Sequence, residues 1–343
     1  MNERLYFEEQ WKRYPLTQPI DAIKQCYQAA HGAEHMLRDV EGARAYFCRE
    51  MEEAAEGGVL YERIGESVVR IHLGPWRREG LDGAWLFAAF CDTAHGDGDM
   101  EALLRTVGEA AACGAAPFSL SAWQTTLAAW REAGMPAVHH SDVYREAYHP
   151  AYRIVRAEYL SVLPVLRAIT ARTKRPLTVA IDGRAAAGKT TMAELLSHLT
   201  GADVIHMDDF FLPPALRCAE RLAEPGGNAH YERFAEEVLP HLCRAETFRY
   251  RIFDCSRMDY AGERVIRAHP LRIVEGSYAH HRAFGAYADL CIFLSVEPQE
   301  QLRRITLRNG AEMAAMFRER WIPMEERYIA AFDVERTADL RLS

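Results

Sequence analysis

The sequence predicts an α/β fold in which a parallel sheet flanked by helices is preceded by a mostly α-helical domain. Three observations carry this expectation. From Pro176 onward, short apolar runs alternate with helical segments, the pattern of strand–helix–strand units. The first of those runs passes through a glycine-containing turn directly into a helix. Before about residue 165, apolar side chains instead recur three and four apart among Ala, Leu, Glu, Arg and Gln, which is helical spacing.

In the first half, helices are expected over residues 22–30, 41–55, 99–112 and 121–133, separated by turn signals at Gly57-Gly58, 96–99 and 134–136. Residues 68–73 read as a short strand that Gly74-Pro75 ends, and 151–173 as a long connecting helix kinked at Pro164. The boundary is therefore expected near residue 170, with a helical domain over 1–170 and an α/β domain over 171–343. In the second half the expected strands are 177–181, 203–207, 248–253, 271–274 and 290–296.

Composition narrows the function classes. At 49% hydrophobic and 26% charged residues, the 343-residue chain is that of a globular protein, not a disordered or low-complexity one. Its longest nearly uninterrupted apolar stretch, 83–91, falls far short of the roughly 20 residues that span a membrane. The opening residues carry charges of both signs and lead into no apolar segment, so a cytoplasmic location is expected. Eight cysteines are scattered without a C-x-x-C pair, which suits reduced thiols better than a disulfide frame or a zinc site. The net charge of −8 divides into −7 over 1–170 (17 basic, 24 acidic) and −1 over 171–343 (24 basic, 25 acidic). Neither half has the basic density of a nucleic-acid binder. No nucleic-acid or membrane partner is expected, and a homo-oligomer is compatible with the sequence.

Gly183-Arg184-Ala185-Ala186-Ala187-Gly188-Lys189-Thr190, followed by Thr191, is a full G-x-x-x-x-G-K-[ST] phosphate-binding loop (P-loop) between an apolar strand and a helix. Gly183 and Gly188 let the backbone turn its N–H groups inward as an anion nest, and the helix N-terminus adds partial positive charge. Lys189 would reach the β- and γ-phosphates of ATP and the Thr190 hydroxyl would ligate Mg²⁺. Only four of the 41 basic residues are lysines, so Lys189 marks a site that needs a point charge. Asp208, at the end of the second core run, is placed to orient an acceptor hydroxyl, take its proton and stand near the metal; the alternative is a helix cap or an acid behind the metal ligands. Glu275, at the tip of the 271–274 run and followed by Gly276, has the Walker-B position of a Mg²⁺ partner; the alternative is a strand-end surface acid. Arg304 and Arg308 share one face of a helix and would close over the transferring phosphoryl group; a solvated charged face is the alternative.

Together these residues resemble the uridine kinase/phosphoribulokinase branch of P-loop small-molecule kinases, in particular bacterial uridine kinase-like ATP-binding proteins. The similarity runs from Ile181-Asp182-Gly183 through His206–Pro213, Pro225–Asn228 and Val274-Glu275-Gly276 to Arg303-Arg304-Ile305, Trp321–Glu326 and Ala338-Asp339, which opens a last short strand. The resemblance implies an α/β P-loop NTPase core, ATP and Mg²⁺, and Asp208 as catalytic base. It also implies Thr190 and Glu275 as metal partners and Arg304 and Arg308 as lid arginines, with Arg303 one register away. Relatives usually carry an acid where this chain has His230-Tyr231, and Phe253-Asp254 lacks the aromatic and histidine pattern expected for uracil. The expected activity is transfer of the γ-phosphoryl group of ATP to a hydroxyl of a small molecule, either a nucleoside such as uridine or another polyol. The alternative is a nucleotide-dependent regulatory protein, or a simple ATPase, that uses the helical half as effector.

The first half offers fewer signals. His31 and His35 stand at metal-chelating spacing with no obvious third ligand. Gly74-Pro75-Trp76-Arg77-Arg78 suits interdomain packing or an anionic partner, and the tyrosines and arginines over 144–156 suggest a docking surface between the halves.

Overall fold

The computed structural model describes residues 3–32, 37–93, 96 and 98–343. The chain divides into two compact units, Met1–Leu163 and Pro164–Ser343.

In the first unit, helices Glu3–Arg13, Pro19–His31, Met100–Ala112 and Leu120–Glu132 surround a core built on Phe7, Trp11, Ile23, Leu104, Val107 and Trp123. Short polar side chains start these and neighbouring helices by accepting an otherwise orphaned N–H. Asp39 takes that of Gly42, Asp99 that of Ala102 and Ser119 that of Ala122. The unit also holds a three-stranded antiparallel sheet, β1 (Tyr61–Arg63), β2 (Val68–His72) and β3 (Tyr152–Arg156), in the order β1-β2-β3. Here the expected long helix over 151–173 is wrong. Its first part is β3, paired with β2 from Val68↔Arg156 to His72↔Tyr152. A 3₁₀ segment, Ala157–Val162, and a helix, Leu163–Thr170, follow. Pro164 sits in the first turn of that helix, where its missing N–H costs nothing, so it starts a helix instead of kinking one. His35, half of the expected histidine pair, lies outside the described residues.

The second unit is an α/β P-loop fold. Its sheet comprises β4 (Leu177–Gly183), β5 (Val204–His206), β8 (Leu271–Glu275), β9 (Leu290–Leu294) and β10 (Leu340–Leu342), all parallel in the order β10-β9-β4-β8-β5. β4 and β8 are buried along their whole length, as strands covered by helices on both faces must be. The run at 248–253 is not a sheet member. It forms β6 (Phe248–Asp254), which pairs antiparallel with β7 (Asp259–Ile266) as a separate hairpin. The alternation Phe248, Arg249, Tyr250, Arg251 buries one face and solvates the other, which suits a hairpin and not the middle of a parallel sheet. Among the described residues no helix is long and apolar enough to cross a membrane, and all eight cysteines are free.

One buried carboxylate ties the first unit together. Asp21 accepts hydrogen bonds from the N–H groups of Gln18 and Ser141, from Ser141 Oγ and from His140 Nδ1, at 2.8–2.9 Å. The proton on Nδ1 is assigned from this network. Burial alone would raise the Asp21 carboxyl, but the hydrogen bonds outweigh it and hold the group below its ordinary range. Its stabilisation is therefore full above the unfolded value of about 3.9 and fades as pH falls toward the lower folded-state value. We expect Asp21→Asn to cost about 2 kcal/mol at neutral pH. The difference from wild type should shrink in acid, as urea unfolding at a series of pH values will read.

Candidate active site

The carboxyl ends of β4, β5 and β8 converge on one cavity of about 600 Å³, the edge at which open α/β sheets receive ligands. β4 ends at Gly183, whose φ of +144° is combined with a close backbone approach: a Cβ there would lie 2.1 Å from the Leu294 carbonyl oxygen. Only glycine fits. The loop runs on through Ala186 and Gly188, both at positive φ, into the helix Lys189–Thr200. Lys189 is buried and its ammonium donates to the carbonyls of Gly183 (2.6 Å) and Arg184 (3.0 Å).

Ala185, Ala186, Gly188, Lys189, Thr190 and Thr191 line the cavity, whereas Gly183, Arg184 and Ala187 do not. The Arg184 side chain is held elsewhere, donating to Glu326 at 2.7 Å, to Ser295 at 2.9 Å and to Glu335 at 3.1 Å. Glu275 and Asp208 lie on the same wall. The Thr190 hydroxyl donates to Glu275 Oε2 at 3.2 Å, and His206 Nδ1 lies 2.6 Å from Glu275 Oε1. Asp208 is open to solvent on its cavity side and walled by protein elsewhere. That partial desolvation raises its carboxyl above the ordinary aspartate value; the Glu275 charge raises it further, against the pull of Lys189. A hydroxyl and two carboxylates thus share one corner. This oxygen set suits a hard divalent cation such as Mg²⁺, which completes its shell with water and phosphate oxygens.

The 3₁₀ turn Met207–Phe210 sends neighbouring acids in different directions. Asp209 is buried and accepts from Tyr250 OH (2.9 Å) and Arg264 Nε (3.0 Å), both on the hairpin. On the opposite side the helix Pro298–Met316, interrupted at Gly310, brings Arg304 and Arg308 to the cavity; Arg303 is not on its wall. Arg304 is paired with Glu300 and reaches the Ala186 carbonyl at 3.2 Å.

Sequence reading missed several members of this wall. Glu325 is buried, accepts the Ala185 backbone N–H at 2.9 Å and the Ser277 hydroxyl at 2.7 Å, and is raised by burial against the opposing charge of Lys189. Cys255 and Met258 from the β6–β7 turn, Asn228, Arg217, and the aromatic rings of Phe211, Tyr278, Phe317 and Trp321 also line the cavity. His230, in contrast, is the residue before the helix Tyr231–Glu237, and Tyr231 stacks on His281 at 4.7 Å.

No family model matches the chain, and no curated protein matches it. Among solved structures it is similar to that of a possible uridine kinase from Bacillus stearothermophilus, at 19% identity and TM-score 0.41, over 52% of this chain and 94% of that one. A second similar structure is that of a candidate fructose transport system kinase from Silicibacter sp., at 22% identity and TM-score 0.43, over 53% of this chain and 97% of that one.

The two neighbouring acids separate experimentally. Asp209→Ala strips the acceptor from Tyr250 and Arg264 and should cost about 2 kcal/mol in denaturant unfolding. Asp208→Asn relieves a repelled charge and should leave stability within about 0.5 kcal/mol of wild type or raise it.

Proposed function

We propose that the second unit is an ATP- and Mg²⁺-dependent kinase that phosphorylates a hydroxyl of a small molecule, a nucleoside such as uridine or another polyol. The observation that carries this reading is the joint presence of Lys189, Thr190, Asp208, Glu275, Arg304 and Arg308 around one cavity. A nucleotide-dependent switch has less need of a carboxylate facing an open acceptor space, and a simple ATPase would show turnover of water alone. In this reading Lys189 turns from its carbonyl partners to the phosphates, and the loop N–H groups hold the phosphate oxygens. Asp208 accepts the proton of the acceptor hydroxyl as its oxygen bonds to the γ-phosphorus; the bond from that phosphorus to the bridging oxygen breaks and ADP leaves. The Thr190 hydroxyl and Glu275, with Asp208 nearby, would hold Mg²⁺, which would supply charge neutralisation on the phosphates. Arg304 and Arg308 stabilise the transferring group and keep water from it.

Mass spectrometry of the full chain with ATP, Mg²⁺ and a pool of nucleosides, sugars and polyols tests the reading. The expected result is an acceptor heavier by one phosphoryl group, reduced about 10²–10⁴-fold by Asp208→Asn and at least about 100-fold by Lys189→Ala. ATP consumption with no phosphorylated acceptor, or undiminished product from Asp208→Asn, overturns it. A base must be ionised, so transfer should fall in acid. Because the Asp208 carboxyl is raised, the acid limb of kcat/KM should begin above the ordinary value of about 3.9.

A further inference from the structure

The first unit contains a second cavity, of about 510 Å³, formed entirely by its own residues. That size is within the usual range for small-molecule pockets. Its polar groups are unevenly supplied. The one carboxylate on the wall, Glu62, is buried and already saturated: it accepts from Gln10 Nε2 (2.9 Å), Arg13 Nη1 (2.8 Å) and the Tyr14 hydroxyl, with His72 Nε2 3.0 Å away. The donors are not. Arg70, 2% exposed, donates to the neutral amides of Gln10 and Gln28, each at 3.0 Å, and among the described residues its buried Nε–H has no acceptor. The Tyr148 hydroxyl accepts the Leu16 N–H, which leaves its own proton to donate. The Tyr144 hydroxyl has no hydrogen-bond partner among the described residues, and burial raises it so that it stays protonated.

A buried relay holds Arg70 in place. Asp21 orients His140, whose Nε2 meets the Tyr152 hydroxyl at 2.6 Å; that hydroxyl accepts from Gln28 Nε2 at 3.2 Å, and Gln28 Oε1 accepts from Arg70. Burial pushes His140 down to about 4, so its ring is neutral and Tyr152 donates to it. The Arg70 guanidinium also lies 4.7 Å over the Tyr152 ring. A buried polar network is costly unless every member is paired. This one is paired except at the Arg70 Nε–H, and on the cavity wall the guanidiniums of Arg13 and Arg70 outnumber the one carboxylate, Glu62, which stands opposite Arg70 across the β1–β2 ladder. The rings of Tyr14, Tyr144 and Tyr148 meet edge-on or tilted at 4.9–5.4 Å beside that end and offer flat apolar faces.

We infer that this cavity is a second small-molecule site, taking a ring-bearing organic anion with its acidic group toward Arg70 and the free tyrosine hydroxyls. The inference does not rest on the kinase reading. Isothermal titration of the full chain with benzoate, phenyl phosphate and the neutral benzamide tests it, and the two acids distinguish a carboxylate from a phosphate head. At least one acid should bind saturably and about tenfold or more tighter than benzamide. Arg70→Gln should weaken that binding at least about tenfold, Tyr148→Ala should weaken it too, and Lys189→Ala should leave it unchanged. Failure of both acids to bind, equal binding of benzamide, indifference to the first-unit substitutions, or loss in Lys189→Ala overturns the inference. Should Arg70→Gln fail to fold, Tyr148→Ala and the benzamide comparison decide it.

Discussion

The backbone contact between Gly183 and Leu294 is the constraint on which the second unit depends. β4 and β9 run so close at their ends that no Cβ fits, and the Arg184 N–H is fastened to the Leu294 carbonyl at 3.0 Å. The chain must therefore leave the sheet at a fixed height and direction. That departure presents Ala185 to Glu325, Lys189 to the loop carbonyls and Thr190 to Glu275. The Gly276 N–H returns to the Ile181 carbonyl at 3.0 Å, so the tip of β8 is registered to the same point. Charged groups that would repel one another in a loose assembly are held on one wall because the backbone beneath them cannot relax.

What could be read from the sequence was local. The phosphate-binding loop, the acids at 208 and 275 and the arginine helix each carry their signal within about ten residues, next to an apolar run. What escaped depends on distant contacts. Tyr152–Arg156 is a strand because β2 offers it an edge, which outweighs its Ala- and Glu-rich flanks. β7 escaped notice because most of its residues are exposed and only its pairing with β6 defines it. Glu325 and Glu326 look alike in sequence, yet one faces Ala185 and Ser277 and the other Arg184; the turn of the helix Ile322–Phe332 decides between them.

The two units treat buried charge differently. In the second, carboxylates crowd a cavity whose opposing charges are a lysine and arginines. In the first, a guanidinium is sunk among amides and phenols while the nearest carboxylate is fully occupied by other donors. Desolvating an arginine without a direct anionic partner is expensive, so the residues around Arg70 form a poor packing core and a well-ordered polar one.

The Asp209 anchor also bears on how this protein can diverge. The root of the β6–β7 hairpin is committed: Tyr250 OH joins Asp209 to the His206 N–H, and Arg264 joins the same carboxylate from the second strand. Its tip is not, since residues 255–257 are exposed and the turn is closed by Asp254 Oδ1, which accepts from Ser256 and the Arg257 N–H. Yet the tip supplies Cys255 and Met258 to the cavity wall. Drift in length or chemistry at the tip would reshape one side of the cavity while the root keeps Asp208 pointed where it is. A descendant could therefore change what it accommodates without rebuilding the groups beneath it.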